Sequence, residues 1–318
     1  MQIATRLSGV LLSLAAALFA AQSAASDVAA DSAIYWALSR EGRPAGFLLG
    51  TIHSEDPRVL DFSEAFAVQL AGNDLFAMEM VPDLPTLNRL TEYMQYQDGT
   101  TLESRIGPER LARVRAALSD YRVPPDWIER MKVWAAMMTL SVPPPQTGLF
   151  MDFSLSLRAA GAGVKVVGLE TLEQQLSFLE DMPMPQQLAL LDQALEEHGR
   201  IRQVHDLMVE SYLEGDLRGL EAITGEQLAE LAPEARQYFQ ERGIEARNRR
   251  MLDALLPKLA ENSVFVAVGA LHLPGASGLI RLLRLEGYDL TPLPLPLSAP
   301  QGRGQPEDEG GRKTGDAP

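Results

Sequence analysis

Short apolar runs of strand type, spaced widely along the chain, limit the fold more than any other feature. The clearest is VFVAVGAL at 264–271, a continuous hydrophobic stretch that is typical of a strand covered on both faces. Runs of the same kind are FLLGTIH at 47–53, LFAMEM at 75–80 and KVVGL at 165–169. Helical patterns separate them, and strand, helix and strand within about 35 residues is the pattern of a βαβ unit. The sequence therefore predicts an α/β fold around a central sheet.

Two long helical sections are inserted into this pattern. They run over about 84–150 and 172–259, and the triple proline at 143–145 punctuates the first because proline does not continue a helix. We expect one domain over 26–295. The tail at 296–318 is rich in proline, glycine and charge, and it has too few apolar side chains to fold.

The N-terminus has the three parts of a secretory signal peptide. Arg6 is the positive residue, 7–21 is an apolar run, and Ser23-Ala24-Ala25 supplies the small residues of a cleavage site. The apolar run is shorter than the roughly 20 residues of a membrane span. We expect residues 1–25 to be removed and the protein to be periplasmic or secreted, without stable membrane insertion. An uncleaved N-terminal anchor is the alternative.

The charge balance and the cysteine count exclude several functions. The chain carries a formal net charge of −15, from 28 Lys and Arg against 43 Asp and Glu. Nucleic acid requires clustered positive charge, so we expect no nucleic-acid partner. The sequence contains no cysteine, which excludes thiol catalysis and thiolate metal sites. A metal ion would have to be bound by His, Asp or Glu.

The pattern Gly-x-x-His occurs twice, each time at the end of a predicted strand. It reads GTIH at 50–53 and GALH at 269–272. The carboxyl ends of strands form the edge at which α/β proteins build their sites. We therefore predict that His53 and His272 face one cleft, with their rings within roughly 10 Å of each other. Taken singly, each histidine is equally compatible with a polar cap on a strand end.

Two carboxylates share this placement. Glu79 lies in LFAMEM and Glu170 follows KVVGL. An ionised carboxylate among apolar residues is costly unless a cation, a metal ion or hydrogen bonds compensate it. Two imidazoles and two carboxylates can hold a divalent ion with a position left open for water. Alternatively, Glu79 pairs with a buried arginine and Glu170 stabilises the start of the next helix. Arg247 is a candidate for neutralising a buried glutamate or an oxyanion.

Several common catalytic motifs do not occur. The sequence has no HExxH, no Gly-x-Ser-x-Gly, no Walker A loop and no dinucleotide-binding glycine pattern. The two other histidines, His198 and His205, lie in the charged helical segment EEHGRIRQVHD, where a solvated or groove-facing role is expected.

The order of these segments resembles the TraB/PrgY/GumN family, which is related to the animal TIKI proteins. The matching segments span about 34–293, and they are FLLGTIH, LFAMEM, VVGLETLEQQL, EGD, ARNRRM and VAVGALHLPGASGLIRLLRLEGYDL. The resemblance implies an α/β core of two similar halves, with a mixed central sheet and large helical insertions. It also implies a common site for His53, His272, Glu79 and Glu170.

The same resemblance implies a metal-dependent, peptidase-like hydrolase that uses manganese, cobalt or zinc. Its substrate would be a peptide or a small secreted molecule with an amide or ester bond. In this hypothesis His53, His272 and a glutamate hold the ion, the other of Glu79 and Glu170 acts as the base, and Arg247 stabilises the oxyanion.

Two other functions stay open. The first is a hydrolase without metal, in which a His–Glu pair activates water, as the related erythromycin-esterase-like proteins suggest. The second is a module that binds a peptide or signalling molecule without turnover. The sequence leaves the substrate, the identity of the metal and the oligomeric state undetermined.

Overall fold

A computed structural model of the chain describes residues 32–298. The predicted signal peptide at 1–25 lies outside the described residues, as does the tail from 299 onward. Within 32–298, no helix combines the length and the apolar character that crossing a bilayer requires.

The centre of the fold is a six-stranded mixed sheet with the order β4-β3-β5-β2-β1-β6. Its strands are β1 (Tyr35–Arg40), β2 (Arg43–Thr51), β3 (Leu75–Met78), β4 (Lys165–Gly168), β5 (Val264–Gly269) and β6 (Asp289–Leu293). Strands β2, β5, β3 and β4 are parallel, and β1 lies antiparallel to both β2 and β6. The predicted α/β class with a mixed central sheet is confirmed.

Helices surround the sheet and fill the predicted insertions. They are α1 (Pro57–Leu60), α2 (Glu64–Ala71), α3 (Leu84–Tyr93), α4 (Leu102–Ala117), α5 (Pro125–Arg130), α6 (Val133–Leu140), α7 (Met151–Gly161), α8 (Leu172–Glu180), α9 (Met184–Glu197), α10 (Ile201–Leu213), α11 (Leu217–Ala229), α12 (Pro233–Tyr238), α13 (Ala246–Glu261) and α14 (Leu279–Leu285). A π-helical segment, Phe239–Glu245, joins α12 to α13. The first insertion contains α3 to α6, and the second contains α8 to α13.

Strands β1 and β2 form a hairpin with a tight turn. Glu41 and Gly42 form its two-residue turn, with φ of 52° and 74°, as the twist of such hairpins requires. Strand β2 therefore begins at Arg43 rather than at Phe47. Gly46 is needed for close approach, because a Cβ there would lie 2.0 Å from the carbonyl oxygen of Val264 on β5.

Two hydrophobic clusters form the interior. One packs around the sheet and includes the buried strand β5. The other lies among the helices of the two insertions, around Trp134 on α6 and Leu176 on α8. Met78, at the end of β3, belongs to the first cluster, whereas Met80 packs against the second. The segment after β3 therefore crosses from one cluster to the other.

The chain stays in contact with the domain beyond the boundary predicted at 295. The Ser63 N–H donates to the Pro296 carbonyl at 2.9 Å, and the Ser298 N–H donates to the Asp61 carbonyl at 2.8 Å. Phe62 and Leu297 form an isolated antiparallel bridge. Ordered structure thus continues at least to Ser298.

Candidate active site

The two predicted histidines and the two predicted glutamates each follow the carboxyl end of one of the four parallel strands within three residues, whereas Arg247 lies on α13. His53 follows β2, Glu79 follows β3, Glu170 follows β4 and His272 follows β5. These strands are neighbours in the order β4-β3-β5-β2, so their carboxyl ends lie on one edge of the sheet. Thr51 pairs with Gly269, which brings the two Gly-x-x-His motifs side by side.

Glu79 is the centre of this edge. Its Oε1 accepts a hydrogen bond from the Gly269 N–H at 2.8 Å. Its Oε2 accepts one from Gln175 Nε2 at 3.1 Å and one from Arg247 Nη2 at 2.6 Å. Burial alone raises the pKa of the Glu79 carboxyl, but nearby His272, the Arg247 guanidinium and the Gly269 N–H together bring that pKa well below its ordinary value. Glu79 is therefore ionised at neutral pH.

Glu170 and Arg247 form a buried ion pair behind Glu79. The Glu170 side chain is 0% exposed, and its Oε2 accepts from Arg247 Nε at 2.9 Å and Nη2 at 2.6 Å. Its Oε1 accepts from Arg250 Nη2 at 3.2 Å. Both Glu170 oxygens are thus bonded to arginines, which does not favour a role as a metal ligand. Arg247 is engaged by two carboxylates, which favours positioning Glu79 over binding an oxyanion. The metal-ligand role of Glu170 and the oxyanion-binding role of Arg247 stay predictions.

His272 is buried and held by Asn248. Asn248 Nδ2 donates to two backbone carbonyls, of His272 at 3.2 Å and of Ser277 at 2.8 Å. Its Oδ1 is therefore the acceptor, and it lies 2.7 Å from His272 Nδ1. Burial lowers the pKa of His272 to about 4, with Glu79 opposing that change. At neutral pH the proton is thus on Nδ1, and Nε2 presents a lone pair.

His53 has different surroundings. Its side chain is exposed, and its ring stacks on Phe150 with centroids 3.7 Å apart and planes at 15°. Loss of solvation lowers the pKa of His53, while Glu55 acts in the opposite direction. Glu55 also accepts hydrogen bonds from the N–H groups of Gln146 at 2.7 Å and Thr147 at 3.1 Å. These bonds hold the loop that leads to Phe150.

The strand ends open into a cleft of about 540 Å³, here called the apolar cleft. Its lining residues are Thr51, His53, Met78, Glu79, Met80, Pro82, Leu87, Leu90, Gly148, Phe150, Asp152, Phe153, Gln175 and Gly269. A smaller pocket of about 270 Å³ lies on the other side of His53 and Phe150, and His205 lines it. The predicted groove-facing position of His205 is therefore confirmed.

Sequence reasoning missed Asp152 and Gln175. Asp152 Oδ1 accepts a hydrogen bond from Thr51 Oγ1 at 2.6 Å. Burial, together with the nearby Glu79 charge, raises the pKa of Asp152 to about 6 although the Thr51 hydrogen bond opposes this. The only signal for Asp152 in the sequence was its place as an acidic residue in the first turn of a mainly apolar helix. Acidic residues in that position usually only stabilise the helix.

Glu79 and His272 present an oxygen and a nitrogen atom of the kind that bind a divalent ion. His272 Nε2 and Glu79 Oε1 lie 3.7 Å apart. At neutral pH both are acceptors that face each other, so an electropositive group is needed between them. A histidine whose other ring nitrogen donates to a fixed acceptor is the usual arrangement of a metal ligand. Within residues 32–298, however, no three His, Asp or Glu side chains cluster closely enough to hold an ion.

Of the predicted set, His53 and Glu79 line the apolar cleft, whereas His272 approaches Glu79 without lining that cleft. The predicted separation of the His53 and His272 rings, within roughly 10 Å, stays a prediction.

Comparison with known proteins gives a consistent result. The profile of the TraB/PrgY/gumN family matches residues 34–292. Similar proteins include "Metalloprotease TIKI1" and "Metalloprotease TIKI2" of Danio rerio, at 24% and 23% identity over 84% and 79% of this chain. "Metalloprotease TIKI homolog" of Nematostella vectensis is 22% identical over 80% of it. The chain spans 65%, 59% and 66% of the lengths of these three proteins. No solved structure matches it.

Proposed function

The chain belongs to the TraB/PrgY/gumN family, and on that premise we propose that it is a peptidase-like hydrolase supported by a divalent metal ion. The observation that carries the proposal is the pair of facing acceptors, His272 Nε2 and Glu79 Oε1, 3.7 Å apart at the carboxyl edge of the sheet. The three relatives described above, all metalloproteases, support the same activity.

In this proposal Glu79 and His272 would hold the ion, and His53 would join them only after a side-chain movement, since no three such side chains cluster within residues 32–298. When bound, a divalent cation lowers the pKa of a coordinated water and polarises a carbonyl oxygen, which are the two requirements for hydrolysis of an amide or ester. Manganese, cobalt and zinc all accept this combination of nitrogen and oxygen donors.

The other residues of the site prepare these donors. Arg247 keeps Glu79 ionised and fixes one of its oxygens, and Glu170 keeps Arg247 in place. Asn248 fixes the tautomer of His272. Asp152, on the wall of the cleft, holds a proton on its carboxyl below about pH 6. Asp152 is therefore the group best suited to give a proton to the leaving group.

A metal-independent hydrolase is the second candidate. A single water can donate its two hydrogens to His272 Nε2 and Glu79 Oε1, and one of these acceptors can take one of the two protons while the remaining hydroxide attacks. The arginine bonds of Glu170 favour this candidate, because they reduce the predicted ligand set from four side chains to three.

A metal-exchange assay tests the proposal. The purified protein is treated with chelator, reloaded with manganese, cobalt or zinc, and incubated with a peptide mixture whose new termini are read by mass spectrometry. We expect cleavage only after reloading. Glu79→Gln and His272→Ala should each lower the rate by at least about 100-fold and should abolish the metal retained after dialysis.

His205→Ala is the matched control, since His205 lies outside the apolar cleft. It should retain metal like the unmodified protein. Full cleavage after chelation would establish the metal-independent candidate instead. Peptide binding without cleavage under every condition would establish a binding module.

We further propose that the protein is exported, on the basis of the tripartite N-terminus. The mature chain should start close to Ser26 and be recovered from the periplasm. Recovery of Met1 from membranes would contradict this.

A further inference from the structure

The apolar cleft has a wall that the fold leaves uncovered. Helix α3 contains no fully buried side chain, although leucines recur along it at helical spacing. Leu87 and Leu90 point into the cleft, where they are only partly buried. A helix normally buries its apolar side in the protein interior. Here part of that side faces a cavity next to Glu79.

Helix α3 is attached to the rest of the domain along its second half. Arg89 forms an ion pair with Glu173 on α8, and Tyr93 packs against Trp134 on α6. The Asp83 side chain caps its first turn by accepting the Thr86 N–H at 2.8 Å. These contacts hold α3 in place beside the cavity.

The side chains opposite α3 are polar and acidic. Glu79 and Asp152 line the cleft, and its lining among the described residues includes no lysine or arginine. An anionic ligand group would meet two carboxylates there, of which only Glu79 has an arginine partner in the described part of the chain. An uncharged ligand that is apolar at one end and hydrogen-bonding at the other fits both walls.

Gln175 lines the cleft and carries a hydrogen-bond acceptor beside Glu79 that is unpaired within residues 32–298. Its Nε2 donates to Glu79 Oε2 at 3.1 Å, which leaves its Oε1 facing away from that carboxylate. Oε1 is buried and has no hydrogen-bond partner among the described residues. Buried acceptors are rarely left unpaired, so a donor from a ligand is expected at this point. A peptide N–H is such a donor.

We propose that the apolar cleft binds a peptide by a large apolar side chain next to the bond that is cleaved. In this arrangement Leu87 and Leu90 contact that side chain, and Gln175 Oε1 accepts a hydrogen bond from the peptide N–H. A volume of about 540 Å³ accommodates a leucine, methionine or phenylalanine residue with its adjoining backbone. The inference rests on the proposed function, because it names the substrate class of the same site.

Cleavage of a degenerate peptide library tests the side-chain preference. We expect Leu, Met or Phe to be enriched at one fixed position beside the cut, with an advantage over Ala of at least about 10-fold. Leu87→Trp should fill the cleft and transfer the preference to Gly or Ala. Leu84→Trp is the matched control on the same helix, because Leu84 is 76% exposed. It should leave the preference unchanged. Leu90→Trp replaces Leu87→Trp if the latter does not fold.

A binding measurement separates this inference from the proposed function. N-acetyl-leucinamide should bind more tightly than N-acetyl-alaninamide, and Leu87→Trp should remove the difference. N-methylation of the peptide N–H should weaken binding by about 5-fold in the unmodified protein and not in Gln175→Met. Preferential binding without cleavage would defeat the proposed function and keep the inference. Cleavage without apolar preference, or an equal effect of Leu84→Trp, would defeat the inference and keep the function.

Discussion

The two Gly-x-x-His motifs share a pattern and an edge of the sheet, but their histidines differ in almost every physical property. His272 is 5% exposed, and both of its ring nitrogens face fixed acceptors. His53 is exposed and is held mainly by stacking on Phe150. After β5 the chain turns into a 3-10 helix, Ala270–His272, which carries its histidine inward. After β2 the chain stays irregular until α1. His272 is thus a preorganised group, whereas His53 can adjust to a ligand.

The largest expected effect concerns the buried side of this comparison. Arg247→Met would leave Glu79 without its cation and Glu170 with only the weaker Arg250 contact. Removing one partner of a buried ion pair costs about 3–5 kcal/mol, so the free energy of unfolding should fall by that amount. Urea denaturation measures it. Arg249→Met is the control, because Arg249 is 66% exposed and should change stability by less than about 0.5 kcal/mol.

The contrast between the two histidines can be tested directly by stability. His272→Ala should lower the free energy of unfolding by about 2 kcal/mol, because it leaves the buried Asn248 acceptor unpaired and opens a cavity. His53→Ala should cost less than about 1 kcal/mol, since it removes only a stacking contact at an exposed site. Equal losses in thermal or urea denaturation would mean that His53 is as strongly embedded as His272.

The pH dependence of stability should differ in sign between Asp152 and His272. The pKa of Asp152 is raised to about 6 from 3.8, so burial favours its protonated form. The stability gained from that form is complete below pH 3.8 and is lost as the pH rises through 6. Asp152→Asn should therefore stabilise the protein by about 3 kcal/mol at pH 8 and by almost nothing at pH 3.8. Urea denaturation across this range measures the difference.

The opposite sign holds for His272, whose pKa is lowered to about 4 from 6.5. The stability contributed by its neutral form is complete above pH 6.5 and is lost as the pH falls toward 4. Between pH 6.5 and pH 4, the free energy of unfolding of the His272→Ala variant should therefore fall less than that of the unmodified protein. If the free energy of unfolding fell equally in both proteins as the pH was lowered, the pKa of His272 would not be shifted by folding.

The smallest effect concerns the loop that carries Phe150. Glu55→Gln should weaken the bonds to the N–H groups of Gln146 and Thr147, at a cost of about 0.5–1 kcal/mol. We expect faster proteolysis of the segment between Pro143 and Phe150, followed by mass spectrometry, with little change elsewhere. Unchanged cleavage in this segment would show that the loop is held by its prolines instead.

Much of the fold could be predicted from local patterns. The apolar runs at β3 and β5 were readable because a strand covered on both faces is continuously hydrophobic. The start of β2 was misplaced, and the chain keeps contact with the domain beyond the boundary predicted at 295. Contacts of Pro296 and Ser298 with a distant loop, and a two-residue turn at Glu41, decided those positions.

The chain's own sequence determined that two histidines and two glutamates would follow strand ends, since hydrophobic runs and the polar residues that terminate them are local features. Only the tertiary structure decided how each of these groups is used. Arg247 reaches Glu79 across 168 residues, and Thr51 donates to Asp152 across 101 residues. The hydrophobic periodicity of the sequence indicates which residues are buried, but it does not indicate which buried charged side chains contact each other. That depends on the order of the strands in the sheet and on the path of the helices between them.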